Sequence, residues 1–389
     1  MDYKLLSEVS VYRKDRIGSD KVNKENYIST ENMLPNRGGV EPATTVASAK
    51  TFPAYKKGDI LLSNIRPYFK KIWYAAQEGG CSNDVLVVKA GKTVDSKFLY
   101  YVLSDNNFFN YSTVTSKGTK MPRGSKNAIM KYWVPDFDLP TQKKIADILS
   151  SYDELIKANN ERIELLEQAA QELYKEWFVR FRFPGYENTK FENGLPEGWE
   201  IKRMNEFCYV TDGTHDTPKP VDVGVPLVTG KCISSGFVDF NVAYNISETD
   251  HEGIKKRSGL KSGDILFSNI GTVGNCCIVD YDREFSVKNV IIFKPETMRD
   301  TAYLYYWMTS SSMQEIFGAQ TNGASQQFVG LTFMRRYKLL VPKDDILEAF
   351  ADKVLPIVEQ KRLLHQKNLN LAAQRDMLLP RLMSGKLEV

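Results

Sequence analysis

Two long segments of the chain carry the regular spacing of apolar residues that is typical of long helices. The first runs from Thr141 to Trp177 without Gly or Pro, and its apolar positions follow one another in alternating steps of four and three residues. Such steps keep side chains on one face of a helix, so we predict a long helix with an apolar seam and with Thr141 as its N-cap. The seam consists of Ile145, Leu149, Tyr152, Ile156, Asn159, Ile163, Leu166, Ala170, Leu173 and Trp177.

The second segment runs from Asp345 to Leu379 and has a less regular seam, because polar residues interrupt it. Since proline lacks the N–H that a helix needs, we expect Pro356 to kink this helix or to mark its start. A small domain cannot cover so long a seam, so we predict that the two helices form an antiparallel coiled coil. Asn159 then either sets the register of the pair or lies at a solvated end. The seam residues are Phe350, Val354, Ile357, Leu364, Leu371 and Leu378, with Lys361, Asn368 and Arg375 on the same line.

An internal repeat precedes the two helices. Three segments recur with the same offset of 205 residues, so chance matching is a poor explanation, and a Val-Pro pair recurs at an offset of 207. A period this long indicates a duplicated domain, because solenoid repeats are about 20 to 50 residues long. The matched segments are 58–65 with 263–270, 83–89 with 288–294, and 99–101 with 304–306, and the pairs are Val134-Pro135 and Val341-Pro342.

Each copy shows the same succession of elements. A Gly-Asp turn leads into an apolar strand, followed by a second strand, a short aromatic helix, a polar loop and a strand that ends in Val-Pro. We place the aromatic helix at 97–109 and 301–317, and the polar loop at 115–126 and 320–327. The predicted fold class is mixed α/β (α+β), with two duplicated globular domains separated by two long helices in a pseudo-twofold molecule. The predicted boundaries are 1–139 for the first domain, 140–182 for the central helix, 183–199 for a turn-rich connector, 200–343 for the second domain, and 344–389 for the C-terminal helix and tail.

Charge is distributed unevenly along the chain. The formal net charge of the 389 residues is only +4, but residues 56–71, 117–126 and 255–261 are locally basic. Local patches of this kind bind phosphates even where the overall charge is low. Each patch is also compatible with a solvated surface, so charge alone does not decide between the two readings.

Motifs of the common enzyme classes are missing from the sequence. The chain has no Walker loop, no dinucleotide-binding glycine pattern and no Pro-Pro pair, which excludes the motif of amino-methyltransferases. Pro135-Asp136 resembles the start of a nuclease motif, but the next acid-x-Lys is Glu200-Ile201-Lys202, beyond the predicted helix and connector. His215 follows Asp212-Gly213-Thr214 and either contacts phosphate or completes a turn. We therefore predict a protein without catalysis, metal or cofactor of its own.

The cysteines and the apolar runs bear on the compartment. Five cysteines and three histidines are scattered without the paired spacing of a zinc site, so we predict reduced thiols. No segment has the roughly 20 consecutive apolar residues that a membrane span needs, and the first residues lack a signal-peptide core. These features predict a cytoplasmic protein.

Several segments of the chain carry a family resemblance. They are the duplicated Gly-Asp-Ile-Leu turn, Trp-Phe-Val-Arg-Phe at 177–181, Gly-Leu-Pro-Glu-Gly-Trp at 194–199, and Leu-Leu-Pro-Arg-Leu-Met-Ser-Gly-Lys-Leu at 378–387. On these segments the chain resembles the specificity subunits of Type I restriction-modification systems over nearly its whole length. It departs from the family at Tyr3-Lys4, where no Leu-Pro-Glu-Gly-Trp precedes the first domain.

The resemblance implies a DNA-reading protein in which two target-recognition domains each read one half of a bipartite, asymmetric site in double-stranded DNA. The helices would act as a ruler between the half-sites and dock two methyltransferase subunits, and motor-nuclease subunits would join the complex. S-adenosylmethionine, ATP and Mg would be bound by those partners. The alternative is a non-catalytic coiled-coil scaffold with two protein-binding heads. The helix residues that either dock a partner or are merely solvated are Glu161, Arg162, Gln168 and Glu172.

Candidate DNA contacts follow from the chemistry of readout, since Arg, Lys, Asn and Gln reach base edges while many cations only position phosphates. We select the polar loops before the closing strands and the variable residues after the repeated Ser-Asn turn. Asn64 and Asn269, which recur in both copies, are assigned to the turn itself. The aromatic clusters around Tyr101 and Tyr306 are assigned to the core and not to base stacking. The candidates are Arg66, Lys70, Lys117, Lys120, Arg123, Lys126, Thr272, Asn322, Ser325, Gln326, Gln327, Arg335 and Arg336.

Overall fold

The computed structural model describes residues 2–234, 236–321 and 328–389. The chain divides into two units, each of which combines one globular domain with a part of both long helices. The first unit contains the residues up to Ala158 together with Lys367–Val389, and the second contains Asn159–Gln366.

The first unit is a mixed α/β domain built from short strands and helices. Its strands are β1 (Tyr3–Leu5), β2 (Ser10–Tyr12), β3 (Arg16–Gly18), β4 (Tyr27–Ile28), β5 (Thr51–Tyr55), β6 (Ile60–Ser63), β7 (Ile72–Tyr74), β8 (Gly79–Cys81), β9 (Val85–Ala90) and β10 (Trp133–Pro135). Its helices are α1 (Leu6–Val9), α2 (Ser96–Ser104), α3 (Asn106–Val114), α4 (Lys126–Ile129) and the beginning of α5 (Leu139–Tyr174).

The central sheet of the first unit is antiparallel throughout and has the strand order β2-β9-β6-β7. Its inner strand β6 is apolar on both faces because both faces are covered. Ile60 and Leu62 lie in the same hydrophobic cluster as helix residues such as Phe98. Leu61, which points the other way, packs with residues of a second sheet of order β3-β5-β8-β4. The alternation of side chains along a strand therefore builds two hydrophobic clusters from one sheet.

The second unit repeats this class of architecture. Its strands are β11 (Phe191–Glu192), β12 (Leu195–Pro196), β13 (Glu200–Arg203), β14 (Tyr209–Asp212), β15 (Val225–Thr229), β16 (Ile233–Ser234), β17 (Phe237–Val238), β18 (Tyr244–Ile246), β19 (Ile265–Phe267), β20 (Cys276–Ile278), β21 (Ser286–Lys288), β22 (Ile291–Lys294) and β23 (Lys338–Val341). Its helices are α6 (Met204–Phe207), α7 (Glu248–Ser258), α8 (Met298–Thr309), α9 (Ser311–Thr321), α10 (Leu331–Arg336) and the beginning of α11 (Asp344–Met383).

The strand order confirms the duplication that the sequence repeat predicts. The central sheet of the second unit has the order β14-β22-β19-β20, and it is antiparallel throughout like its counterpart. The pair β13-β23 likewise corresponds to β1-β10. The second sheet differs, because its order here is β18-β15-β21. The scaffold is thus repeated, while the layer packed on its far face has diverged.

The Gly-Asp turn of the first unit shows why this dipeptide starts the central strand. Gly58 has a φ of +87°, in the left-handed region that glycine adopts without strain. The carboxylate of Asp59 is buried and accepts a hydrogen bond of 2.7 Å from the N–H of Lys56. Arg13 neutralises this carboxylate with two hydrogen bonds of 2.5 and 2.9 Å. Burial of the charge is tolerated because it is both paired and hydrogen-bonded.

The second unit builds the same turn with a different cation. Gly263 has a φ of +89°, and the carboxylate of Asp264 accepts a bond of 2.8 Å from the N–H of Lys261. The charge of Asp264 is neutralised by Lys294, on the neighbouring strand. The turn is therefore repeated in detail, while its counter-ion was replaced.

The aromatic helix that the sequence predicts is two helices in each unit, so that prediction was wrong in detail. Residues 97–109 are divided between α2 and α3, and residues 301–317 between α8 and α9. The break falls at Asp105 and at Ser310, where the backbone is extended. Asp105 caps α3, since its side chain accepts a bond of 2.6 Å from the N–H of Asn107. Local capping therefore outweighs the continuous helical pattern of apolar residues.

The ends of the long helices also differ from the prediction. Helix α5 begins at Leu139, and Asp138 acts as its cap by accepting a bond of 2.9 Å from the N–H of Thr141. Thr141 is therefore not the N-cap. Helix α11 begins at Asp344 and runs through Pro356, which therefore does not mark its start, while the kink stays a prediction. The buried side chains of Val354 and Lys361 on either side hold the helix against the core, and this packing offsets the lost hydrogen bond.

Within each unit, α5 and α11 pair in antiparallel orientation, as predicted. In the first unit Asp153 pairs with Arg375, and the backbone carbonyl of Ile156 accepts from Asn368 at 3.5 Å. In the second unit Glu167 pairs with Lys361. The rings of Tyr174 and Phe350 there lie 6.3 Å apart, and Trp177 lies 5.8 Å from Phe350. The predicted seam positions are buried or half-buried.

The pair between Glu167 and Lys361 generates a stability prediction. Glu167→Gln removes the charge that neutralises Lys361, whose side chain is 6% exposed. We expect the free energy of unfolding to fall by about 2 to 3 kcal/mol, because an uncompensated ammonium group then stays buried. Lys361→Met should cost less, since the carboxylate that remains is 29% exposed and stays partly hydrated. Urea denaturation of both variants measures the difference, and an equal or larger loss for Lys361→Met would contradict this assignment.

Candidate nucleic-acid interface

The first unit brings together two loops that the sequence shows as separate candidates. The turn that follows β6 lies against the polar loop 115–126. The N–H of Arg66 donates to the carbonyl of Pro122 at 2.8 Å, and Ile65 forms an isolated β-bridge with Arg123. The N–H of Gly124 donates to the backbone carbonyl of Asn64 at 3.0 Å. The candidates of this unit therefore belong to one loop assembly.

The polar loop itself is closed by its own backbone. Lys117 and Arg123 exchange two N–H···O bonds of 2.9 Å, which form a narrow hairpin-like turn. Lys120 lies at the exposed tip between them, and the side chains of Lys117 and Arg123 are exposed as well. Lys126 is exposed at the first position of α4. This loop carries positive charge into solvent from a fixed backbone, which suits contacts with phosphates.

Backbone strain is concentrated beside this loop. Arg66 and Lys70, which flank the 3₁₀ turn 67–69, have φ values of +50° and +53°. Asn36 and Arg37 have φ values of +55° and +64°, and their N–H groups donate to the carbonyls of Phe69 and Lys70 at 2.8 and 2.9 Å. Such conformations are costly for residues other than glycine, and they cluster at functional sites.

Arg37 is a residue of this assembly that sequence reasoning missed. Its guanidinium donates to the carbonyl of Ser104 at 3.2 Å and to Asp376 at 3.2 Å. The Nε atoms of Arg37 and Arg66 are buried and have no hydrogen-bond partner among the described residues. The turn-type residues around Arg37 were the available signal, but nothing in their spacing pointed to the loop that contains Arg66.

Two of the candidate cations are held by polar neighbours. The ammonium group of Lys70 donates to Asn106 Oδ1 at 2.8 Å. Arg123 forms an ion pair of 3.2 Å with Asp84 at the surface. Because water screens an exposed pair, it adds little stability, but it restricts where the guanidinium points.

The second unit places its candidates differently. Thr272 is exposed on the turn that follows β19, at the place that corresponds to the loop with Arg66. Arg336 is exposed at the end of α10, but Arg335 donates two hydrogen bonds of 3.0 and 2.8 Å to the carbonyl of Val210. Arg335 thus has a structural partner inside its own domain. The remaining candidates of this unit, Asn322, Ser325, Gln326 and Gln327, lie outside the described residues.

The repeated asparagines support the turn role that the sequence analysis assigns to them. The side-chain amide of Asn269 donates to the carbonyl of Val329 at 3.3 Å, and the N–H of Val329 donates to the backbone carbonyl of Asn269 at 2.9 Å. This is the bond that Gly124 makes to Asn64 in the first unit, again at an offset of 205 residues. Both turns therefore anchor the loop that precedes the closing strand.

Comparison with known proteins agrees with this architecture. The model of the family described as Type I restriction modification DNA specificity domain matches residues 14–168 and 196–371. The chain belongs to this family. It is therefore a specificity subunit, and each matched segment covers most or all of one duplicated domain and extends into the long helix that follows it. This likeness covers more than half of the chain, and it agrees with the resemblance that the repeated turn and the tail suggested.

Individual relatives match most of this specificity subunit. The MjaIX specificity subunit of Methanocaldococcus jannaschii is 27% identical over 376 residues, which cover 91% of this chain and 82% of the relative. The HindI specificity subunit of Haemophilus influenzae is 22% identical over 438 aligned positions, covering 93% and 94% of the two chains. The crystal structure of a Type I S subunit from M. genitalium has a TM-score of 0.55 at 14% identity, covering 98% of this chain and 95% of that one. That structural likeness supports the fold.

The thiols and the aromatic clusters of this specificity subunit lie in its cores. The five cysteines are free and buried, and burial raises the pKa of Cys81 and of Cys208 to about 12. Tyr101 and Tyr306 are buried, so the aromatic clusters pack inside the domains as predicted. Among the described residues, no helix combines the length and the hydropathy that a membrane span requires. The same residues contain no group of His, Cys, Asp and Glu that is arranged to hold a metal ion.

The anchoring role of Asn269 leads to a prediction with two variants of the same turn. Asn269→Ala removes the amide that donates to Val329, so we expect the free energy of unfolding to fall by about 1 kcal/mol while the preference among DNA sequences is retained. Thr272→Ala, an exposed neighbour, should leave stability unchanged. Denaturation and a profile of methylated sites in cells with the full complex measure both effects. A changed sequence profile for Asn269→Ala would assign this residue to DNA contact instead.

Proposed function

We propose that each duplicated domain of this specificity subunit reads one half of a bipartite, asymmetric site in double-stranded DNA. The observation that carries the proposal is the loop assembly of the first unit, where Arg66, Lys70, Lys117, Lys120 and Arg123 lie on two hydrogen-bonded loops. The repeated scaffold supports two readers of one kind, and the divergent second sheets support different sequences for them.

Within the loop assembly we assign different roles to two kinds of cation. Lys117, Lys120 and Lys126 are exposed and extend from the polar loop, so they suit phosphates, which need charge but little orientation. Lys70 and Arg123 are each held by a polar neighbour, Asn106 and Asp84. A held side chain loses less freedom on binding, and this favours the oriented contacts that base edges require.

We further propose that α5 and α11 set the distance between the half-sites and dock two methyltransferase subunits. Modules on one face of B-DNA are separated by about one helical turn, roughly 34 Å, and a long helix pair suits that span. The exposed apolar residues of these helices support docking over simple solvation, because Leu165 is 65% exposed and Met377 is 60% exposed. Exposed Glu161, Arg162, Gln168 and Glu172 add polar contacts for the same partner.

The remaining partners follow from the family. We propose that this chain performs no catalysis itself, and that methyltransferase and motor-nuclease subunits supply methylation and cleavage of DNA. S-adenosylmethionine, ATP and Mg then belong to those subunits. A cytoplasmic location remains a prediction.

Neutralising the polar loop tests DNA binding. Replacing Lys117, Lys120 and Lys126 with Gln removes three cations that are proposed to contact phosphates. The slope of log binding constant against log salt should then flatten by about 0.9 for each phosphate contact that is lost, because fewer counterions are released. Binding of the assembled methyltransferase complex to duplex DNA at several salt concentrations measures the slope.

A control of equal charge separates this effect from a general loss of positive charge. Lys21, Lys24 and Lys50 are exposed residues of the same domain outside the loop assembly. Their replacement with Gln should leave the salt slope nearly unchanged. An equal flattening in both triple variants would argue against the loop as the interface, and salt-independent behaviour of the unaltered complex would favour a protein scaffold.

A domain exchange tests the division of labour between the two domains. Residues 2–138 are replaced with the first domain of another member of the family. We expect one half of the methylated site to change and the other half to persist, because each domain carries its own contacts. Sequencing of methylated sites in cells that express the complex gives the answer. A change in both halves would contradict independent readers.

A further inference from the structure

The second unit joins two features that lie 40 residues apart in the sequence and that the loop candidates do not include. One is the segment Asp212-Gly213-Thr214-His215, and the other is the basic segment 255–261. They meet at the carboxylate of Asp212, at the end of strand β14. Its Oδ2 lies 2.9 Å from His215 Nε2, within hydrogen-bond distance, and its Oδ1 accepts from Arg257 Nη2 at 2.5 Å.

The carboxylate lies inside the domain while both of its partners face solvent. The side chain of Asp212 is 12% exposed, whereas those of Arg257 and His215 are 53% and 62% exposed. Asp212 accepts from one N–H donor of Arg257. Among the described residues, Asp212 is the partner of this guanidinium. The other N–H donors of this half-exposed guanidinium have no partner among the described residues.

The loop that carries Asp212 and His215 is held firmly. The N–H groups of Gly213 and Thr214 donate to the carbonyls of Val290 and Val287, each at 3.0 Å. A Cβ at Gly213 would lie 2.1 Å from the carbonyl oxygen of Val287, so only glycine allows this close approach. The second ring nitrogen of His215 is 2.9 Å from Asn289 Oδ1, and Asn289 has a φ of +50°.

Arg257 also comes from a fixed element. It lies in the last turn of α7, whose side chains His251, Ile254 and Ser258 are buried. His251 Nδ1 forms a hydrogen bond of 2.9 Å with Ser286 Oγ, which ties the helix to strand β21. Lys256, its neighbour, is exposed and has no ion-pair or hydrogen-bond partner in the described part of the chain. One cation of this surface is thus oriented and the next one is not.

We infer that Arg257, oriented by Asp212, reads a guanine through the major groove in the half-site of the second domain. This inference rests on the proposed function. Guanine presents two acceptors on this edge, O6 and N7, and they match two parallel N–H donors of a guanidinium. A carboxylate that fixes the guanidinium in advance lowers the cost of ordering it on the base. Asp212 is the positioning residue of this site, and His215 holds its second oxygen.

The first domain differs at the same place, which fits two readers of different sequences. In the central sheet of the first domain, the backbone N–H of Arg13 donates to the carbonyl of Val87. In the second domain Thr211 pairs with Ile292, which is the counterpart of Val87 at the offset of 205 residues, so Arg13 corresponds to Thr211. The residue that corresponds to Asp212 is therefore Lys14, a cation in place of the carboxylate. The arrangement belongs to the second domain and not to the shared scaffold.

The experiment uses the assembled methyltransferase complex. The methylated site is first mapped by sequencing, and binding is then measured for duplexes in which each base pair is replaced in turn. Arg257→Ala should abolish the preference for G·C at one position of one half-site, a loss of about 10- to 100-fold in discrimination. Asp212→Asn should weaken the preference at that same position by less, because the guanidinium remains but is no longer fixed. Lys256→Ala, which removes an equal charge one residue away, should weaken binding evenly for all duplexes.

Several results would overturn the inference. One is an unchanged profile for Arg257→Ala, and another is an even loss on every duplex, which would assign Arg257 to phosphate. A lost preference at an A·T pair, or a half-site without any G·C pair, would do the same. Unaltered discrimination in the other half-site shows that the variants fold, and thermal unfolding checks this independently. Failure of the unaltered complex to distinguish sequences would refute the proposed function as well, whereas the other outcomes leave it standing.

Discussion

The burial of the long apolar seams is the constraint on which the rest of the structure depends. A helix as long as α5 exposes too much apolar surface to exist alone, and within each unit α11 covers part of it. The seams also enter the cores of the globular domains: Ile145 and Leu149 share a cluster with the sheet of the first unit. In the second unit Ala170 and Phe350 lie in one hydrophobic cluster with the central sheet β14-β22-β19-β20. Helix pair and domain are therefore stabilised together, which gives the loops a rigid support.

On this support, conservation of the scaffold and variation of the surface have separate physical causes. The Gly-Asp turn recurs because its Asp carboxylate accepts a backbone N–H of the turn before the central strand. This carboxylate is buried, so a nearby cation must neutralise it. That cation need not come from one position, and so Arg13 serves in one domain and Lys294 in the other. In the part of the chain that the structure describes, the exposed loops that follow the central strand contain no buried charge of this kind that must be neutralised, so their residues can vary. Exposed cations in one domain and a carboxylate-held arginine in the other are compatible with the same sheet.

The differences between expectation and structure share an origin in local competition. The aromatic pattern continues through Asp105, but its side chain caps the next helix and ends the first one. Asp138 caps α5 in place of Thr141 because the helix starts earlier than the spacing indicates. The segments β1-α1-β2 and β13-α6-β14 are also repeated, although the spacing of 205 residues does not reveal this repeat. The N–H groups of Leu6 and Met204 donate to the carbonyls of Tyr132 and Tyr337. Tyr132 and Tyr337 are 205 residues apart, but Leu6 and Met204 are only 198 residues apart.

The sequence by itself determined the duplication, the mixed α/β class and the two long helices, because these are written in local spacing and in repeated strings of residues. It also identified the polar loop of the first domain, since a cluster of cations without acids can be read directly from consecutive residues of the sequence. Only the tertiary structure decided that this loop meets the turn of Arg66, and that Asp212 meets Arg257. Such meetings depend on which strands pair and in what register, and they join residues whose separation along the chain carries no periodic signal.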